Sequence, residues 1–107
     1  MTENEKILAV LSDIEAELKE LSLWQGESGR PATAALNAPA PFGLGVMEFH
    51  EWLEYVLLPR LREMIEEQRE LPSSLLTHPM AEEVWRGKWG QYRRLIGHLR
   101  RLDSLFA

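Results

Sequence analysis

Apolar residues recur at helical spacing along most of this chain, and most regularly between Met47 and Gln68. In MEFHEWLEYVLLPRLREMIEEQ, the residues Phe49, Trp52, Leu53, Val56, Leu57, Leu61, Met64 and Ile65 follow one another at steps of three, one, three, one, four, three and one. That is the spacing of one helix face. It predicts a helix, the second of the chain, over about 46–69. Pro59 lies inside it. A proline removes one backbone hydrogen bond, here to the Tyr55 carbonyl, and crowds that turn at roughly 3 kcal/mol. The apolar face stays in phase from Leu57 to Leu61, so one helix kinked at 55–59 is expected rather than two helices, with the Tyr55 carbonyl released beside Arg60.

The flanking stretches supply helices to cover that face. Thr2 and Glu5 form a capping box, and Ile7, Leu11, Ile14, Leu18 and Leu21 follow at steps of four and three, giving a first helix over 3–22. The seam suits a bundle or a coiled-coil dimer; the bundle is preferred because the chain holds other helices to receive it. Pro79 opens a third helix over 79–87, with Met80, Val84 and Trp85 inward. A fourth, over 90–105, carries an apolar stripe of Tyr92, Leu95, Ile96, Leu99, Leu102 and Phe106.

Between the first two helices, residues 25–46 hold four of the seven glycines and three of the six prolines. This is a loop of ~22 residues, able to span ~70 Å, so it can cross the whole bundle and leaves parallel or antiparallel neighbours open. Residues 39–42 read as an extended strap pinned by Phe42. A plug for the bundle end is the preferred role for that ring over a lid on a ligand. The expectation is a single all-α domain over 1–107: a four-helix bundle or array, with helix 2 central and Pro-kinked.

Composition is that of a globular domain, with 45% hydrophobic and 27% charged residues, which excludes disorder of the whole chain. No cysteine is present, so disulfides, thiolate metal sites and cysteine nucleophiles are excluded. The acidic start lacks the basic region and apolar core of a signal peptide, and no apolar run approaches ~20 residues, so a cytoplasmic, membrane-free protein is expected. The net charge of −5 is uneven: residues 77–107 are basic and the rest acidic. That argues against broad direct nucleic-acid binding.

Candidate chemistry is sparse. His50 and Glu54 share the i, i+4 spacing of a zinc helix, but no third ligand joins them, and no metal or cofactor is expected. The adjacent pairs Glu66–Glu67 and Glu82–Glu83 diverge on a helix, and no glycine-rich phosphate loop or nucleophile elbow occurs. No active site is expected. The best binding candidates are Arg93, Arg94, Arg100 and Arg101, two pairs one heptad apart, which can grip phosphates or bridge to acids of helices 1 and 2. A second candidate is a pocket at the kink, formed by Tyr55, Pro59, Arg60 and Phe42. Trp85 and Trp89 are one helical turn apart; core is preferred for both over a partner-binding patch.

The stretches PFGLGVMEFHEWLEYVLLPRLREMI, LPSSLLTHPMAEEVW and LRRLDSLF resemble the YqcC-like proteins, small bacterial all-helical proteins. The densest part of the likeness is Pro41-Phe42, Met47, Trp52-Leu53, Val56 and Pro59-Arg60, with Glu54 where the family has glutamine and Leu61 where it has methionine. The resemblance implies a compact helical bundle and, through gene neighbourhood, a link to a tRNA pseudouridine synthase. This chain looks nothing like such an enzyme, being short and strandless. A non-enzymatic accessory protein is therefore expected, a monomer or weak homodimer, with an unidentified protein partner for which that synthase is the candidate. The alternative is a small-molecule binder or minor enzyme using the Tyr55/Pro59/Arg60 pocket.

Overall fold

The computed structural model describes residues 2–106, and among them no strand occurs. Four principal helices carry the fold: α1 (Glu3–Glu20), α2 (residues 49–66), α3 (Thr77–Val84) and α4 (Arg93–Ser104). Each end lies within about three residues of the sequence expectation. Thr2 caps α1, its hydroxyl accepting the Glu5 N–H at 3.1 Å. Helices α1 and α2 both stop in the same way, and neither uses glycine. Ser22 (φ 61°) and Gln68 (φ 56°) adopt the left-handed conformation. The next N–H in each case reaches back across the last turn, Leu23 to the Leu18 carbonyl at 2.9 Å and Arg69 to the Met64 carbonyl at 2.8 Å. These are Schellman ends, which satisfy carbonyls the helix leaves open.

The seam of α1 is buried within the chain: Ile7, Val10, Leu11, Ile14 and Leu18 are all at most 6% exposed. It packs against Leu95, Ile96, Leu99 and Leu102 of α4 in one core cluster. The apolar stripe that would have served a coiled coil is thus used internally. Helix α4 also packs on α3, and α2 packs on α1, so the centre expected for α2 alone is shared with α4. Two ion pairs fasten α1 from outside, Glu15 to Arg62 and Asp13 to Arg101, both at 2.7 Å. Burial alone would raise the Glu15 carboxyl, but Lys19 and Arg62 hold it below the usual value.

Helix α2 answers Pro59 with a wider turn. An α-helical turn Phe49–Trp52 leads into a π-helical segment Leu53–Leu57, then the α-helix Leu58–Glu66. The Leu58 N–H donates to the Leu53 carbonyl, five residues back. A π turn holds an extra residue, which rotates everything after it. Leu53 and Leu58, five apart, are therefore both fully buried, whereas Val56, expected inward, is only half-buried. Trp52 is also half-buried, packed over the core edge.

Two further inward assignments are corrected. Helix α3 begins at Thr77, before the expected start at Pro79, and its buried residues Thr77, Ala81 and Trp85 follow at steps of four. Val84 therefore turns outward, 39% exposed. Trp89 lies beyond the end of α3, not one turn along it, and is 53% exposed instead of core.

Candidate functional site

The segment between α1 and α2 carries short turns, a 3-10 turn Glu27–Gly29, a helical turn Thr33–Leu36 and a 3-10 turn Pro41–Gly43. Of the expected extended strap at 39–42, Ala40 is extended (φ −106°, ψ 114°), but Pro41–Gly43 turn tightly, with Phe42 at φ 55°. Gly43 must be glycine: its φ is +71°, and a Cβ there would meet Met47 Cγ at 2.6 Å. The close approach seats Phe42 as a plug, edge-on to Trp52 at 5.1 Å and near Phe49 at 6.3 Å. Behind it, Phe49 meets Trp85, which stacks on Tyr92 at 4.4 Å.

The start of the whole 25–46 segment, the strap from here on, is tied to α2 by polar groups. The buried Glu54 carboxylate accepts the Gln25 N–H at 2.9 Å and the Gly26 N–H at 2.7 Å. The Tyr55 hydroxyl donates to the Gly26 carbonyl. Burial and the adjacent Glu54 charge push the Tyr55 phenol up to about 12. Among the described residues, Glu54 is one of two buried carboxylates. The other, Asp103 on α4, accepts the N–H groups of Thr77 at 3.1 Å and His78 at 2.9 Å, the Thr77 hydroxyl, and His78 Nδ1 at 3.0 Å. It caps the start of α3, where open N–H groups and the helix dipole favour an anion.

These ties leave a cleft of about 430 Å³ between strap and α2. Arg30, Thr33, Leu36 and Asn37 form one wall, Tyr55, Val56, Pro59, Arg60, Glu63 and Met64 the other, and Arg69 lies at the end. Tyr55, Pro59 and Arg60 are together, as expected for a pocket at this turn. Phe42 is not among them; it lines the neighbouring cleft of about 420 Å³, which also touches Val56 and Arg60. Arg30 was not foreseen, because only the folding of the strap brings it to α2.

The four α4 arginines separate. Arg101 pairs with Asp13 of α1, and Arg100 lies 3.5 Å from Glu82 of α3. Arg94 is exposed. Arg93 and Arg100 border a smaller groove of about 310 Å³ with Glu82, Trp89, Gly90, Ile96 and Gly97. The Trp89 indole is fixed there by a hydrogen bond from Nε1 to the Glu82 carbonyl at 2.9 Å. Among the described residues, no group of three or more His, Asp or Glu side chains is placed to hold a metal ion, and no helix is long and apolar enough to cross a membrane.

Comparison with known proteins gives a consistent picture. The family model DUF446, described as tRNA pseudouridine synthase C, matches residues 6–105. The uncharacterized protein YqcC of Escherichia coli (strain K12) is 30% identical over 107 residues, which is all of this chain and 96% of that protein. An uncharacterized protein of Haemophilus influenzae is 28% identical over 95 residues, 89% of this chain and 87% of that one. A protein of Pectobacterium carotovorum subsp. carotovorum, named tRNA pseudouridine synthase C, is 32% identical over 94 residues, but these are only 24% of its length. The solution NMR structure of YqcC from E. coli matches with a TM-score of 0.86 at 30% identity, over 100% of this chain and 90% of that one.

Proposed function

The chain belongs to the YqcC-like family, whose model carries the description tRNA pseudouridine synthase C, and on that premise we propose that it is a non-enzymatic accessory domain of such a synthase. One observation carries the reading: the same domain occurs as about a quarter of a longer protein bearing the synthase's name. Two modules on one chain meet at the high effective concentration a short tether provides. As separate chains they need a surface of their own. The groove beside Trp89 has the composition of one, with a fixed, exposed indole and two arginines at its edge. Tryptophan and arginine are the side chains that most often dominate binding energy at interfaces.

The absence of turnover is part of the proposal. Both buried carboxylates, the groups a desolvated acid or base would be drawn from, are engaged by backbone N–H groups. A carboxylate held as an acceptor on both oxygens is poorly placed to exchange a proton with a substrate.

The test is direct. The purified chain is titrated, by calorimetry, into the purified part of the Pectobacterium synthase that lies outside the matched region. Saturable binding is expected, weakened at least about tenfold by Trp89→Ala, the loss typical of a dominant interface tryptophan. No heat at concentrations of tens of micromolar, or binding indifferent to Trp89→Ala, would reject the partner or the surface respectively.

A further inference from the structure

We infer that the cleft between the strap and α2 is a binding site for a small organic phosphate. The site is separate from the Trp89 groove, and the inference stands whether or not the chain has a protein partner.

Three arginines line one cleft: Arg30 from the strap, Arg60 from α2 and Arg69 beyond its end. Ion pairing accounts for only one of them. Arg69 is held by Glu67 and lies 3.8 Å from Glu63. Arg30 and Arg60 make no ion pair or side-chain hydrogen bond with any described residue, although the chain carries a net charge of −5. In a protein so rich in carboxylates, two arginines left without an acidic partner on one cleft mark a place for an anion from outside. Glu63 is the one acid in the lining, and it lies 3.8 Å from Arg69, the arginine that Glu67 already holds. Arg30 and Arg60 remain as the arginines of the cleft without an acidic partner among the described residues.

The ligand's class follows from charge, shape and donors. Two unpaired guanidiniums match a dianion, which favours a phosphate monoester over a monocarboxylate; arginine's planar fork suits phosphate oxygens. Thr33 and Asn37 add a hydroxyl and an amide whose side chains make no hydrogen bond within the described chain, and they can serve ligand hydroxyls. At about 430 Å³ the cleft exceeds a bare phosphate and matches a small organic molecule. The Tyr55 hydroxyl is occupied by the Gly26 carbonyl, so its ring contributes a wall and not a donor.

The experiment titrates the nitrogen-15-labelled full chain by NMR with inorganic phosphate and with uridine monophosphate, with uridine as the neutral control. Uridine monophosphate is expected to give saturable shifts at the Arg30 and Arg60 Nε–H groups, and uridine none. Arg30→Gln and Arg60→Gln each weaken binding at least about tenfold, as loss of a charged hydrogen-bonding pair does; Arg86→Gln, exposed and outside the cleft, leaves it unchanged. Arg30 and Arg60 are exposed, so these variants retain the fold, checked by their melting temperature. The inference is overturned if neither phosphate shifts these groups saturably at millimolar concentration, or if binding survives both substitutions. Binding of inorganic phosphate alone overturns the organic ligand. Tighter binding of tRNA than of the mononucleotide, lost in the same variants, assigns the cleft to an RNA backbone and overturns the small-ligand claim.

Discussion

Glu54 of α2 and Asp103 of α4 are both buried carboxylates that hold a distant segment by two of its backbone N–H groups. They differ in what surrounds that grip. Asp103 secures a helix: Thr77, its first partner, is fully buried, and the imidazole of His78 closes over the second oxygen. The carboxylate itself is only 9% exposed. Glu54 secures a loop, and Tyr55, next to it, hydrogen-bonds the same turn while its ring lines a cleft. One carboxylate completes the core; the other holds the strap at a distance from α2 that leaves room beside it. The same chemistry thus serves cohesion at one end of the molecule and shape at the other.

The contrast sets an order of effects in denaturant unfolding. Asp103→Ala leaves the N–H groups of Thr77 and His78 without acceptors and the Thr77 hydroxyl with only a long 3.4 Å contact to the Leu99 carbonyl, and an expected loss of about 3 kcal/mol follows. Glu54→Ala releases a segment that can rehydrate, and about 2 kcal/mol is expected, together with strap amides that exchange faster with solvent while those of α3 stay protected. A reversed order would show that the strap, not α3, is the more cooperative attachment. Tyr55→Phe removes one hydrogen bond, about 1 kcal/mol. It also carries a pH signature. The phenol titrates at about 12 in the folded chain against 10.0 ordinarily. The folded state therefore holds its proton while the unfolded state loses it. The stability from Tyr55 is complete below pH 10 and declines as pH rises toward 12, because there the unfolded chain binds fewer protons. Melting temperatures followed across that window should fall less steeply in Tyr55→Phe than in the parent. Smallest is Arg101→Gln, which breaks the exposed pair with Asp13; a change within about 0.5 kcal/mol is expected, shrinking further in salt.

The sequence made the helices legible because their signal is local. The α1 seam, the α4 stripe and the Thr2 cap all lie within a few residues of what they determine. What escaped was set at a distance or by register. Glu54 meets the chain 28 and 29 residues away and Asp103 meets it 25 and 26 residues away, so neither grip leaves a local pattern. Helices α1 and α2 end two or three residues short of the sequence expectation, because Ser22 and Gln68, not glycines, terminate them. Val84 and Trp89 were misplaced by the early start and early stop of α3. The pocket residues Tyr55, Pro59 and Arg60 could be named because proline marks an irregular turn, while Arg30 depends on how the strap folds.

The wide turn at Leu53–Leu57 has a bearing on how this chain tolerates change in length. A π turn contains one residue more than the α turn it replaces. Helix α2 is therefore carrying a spare. Deleting Val56 would convert the five-residue step from Leu53 to Leu58 into an ordinary step of four, and both halves of the buried face would still point at the core. The same deletion in the middle of α1 would swing half of its seam away from the core. Of the two, only α2 can lose a residue at its middle and remain the same helix to its neighbours, and that place is where the cleft lies.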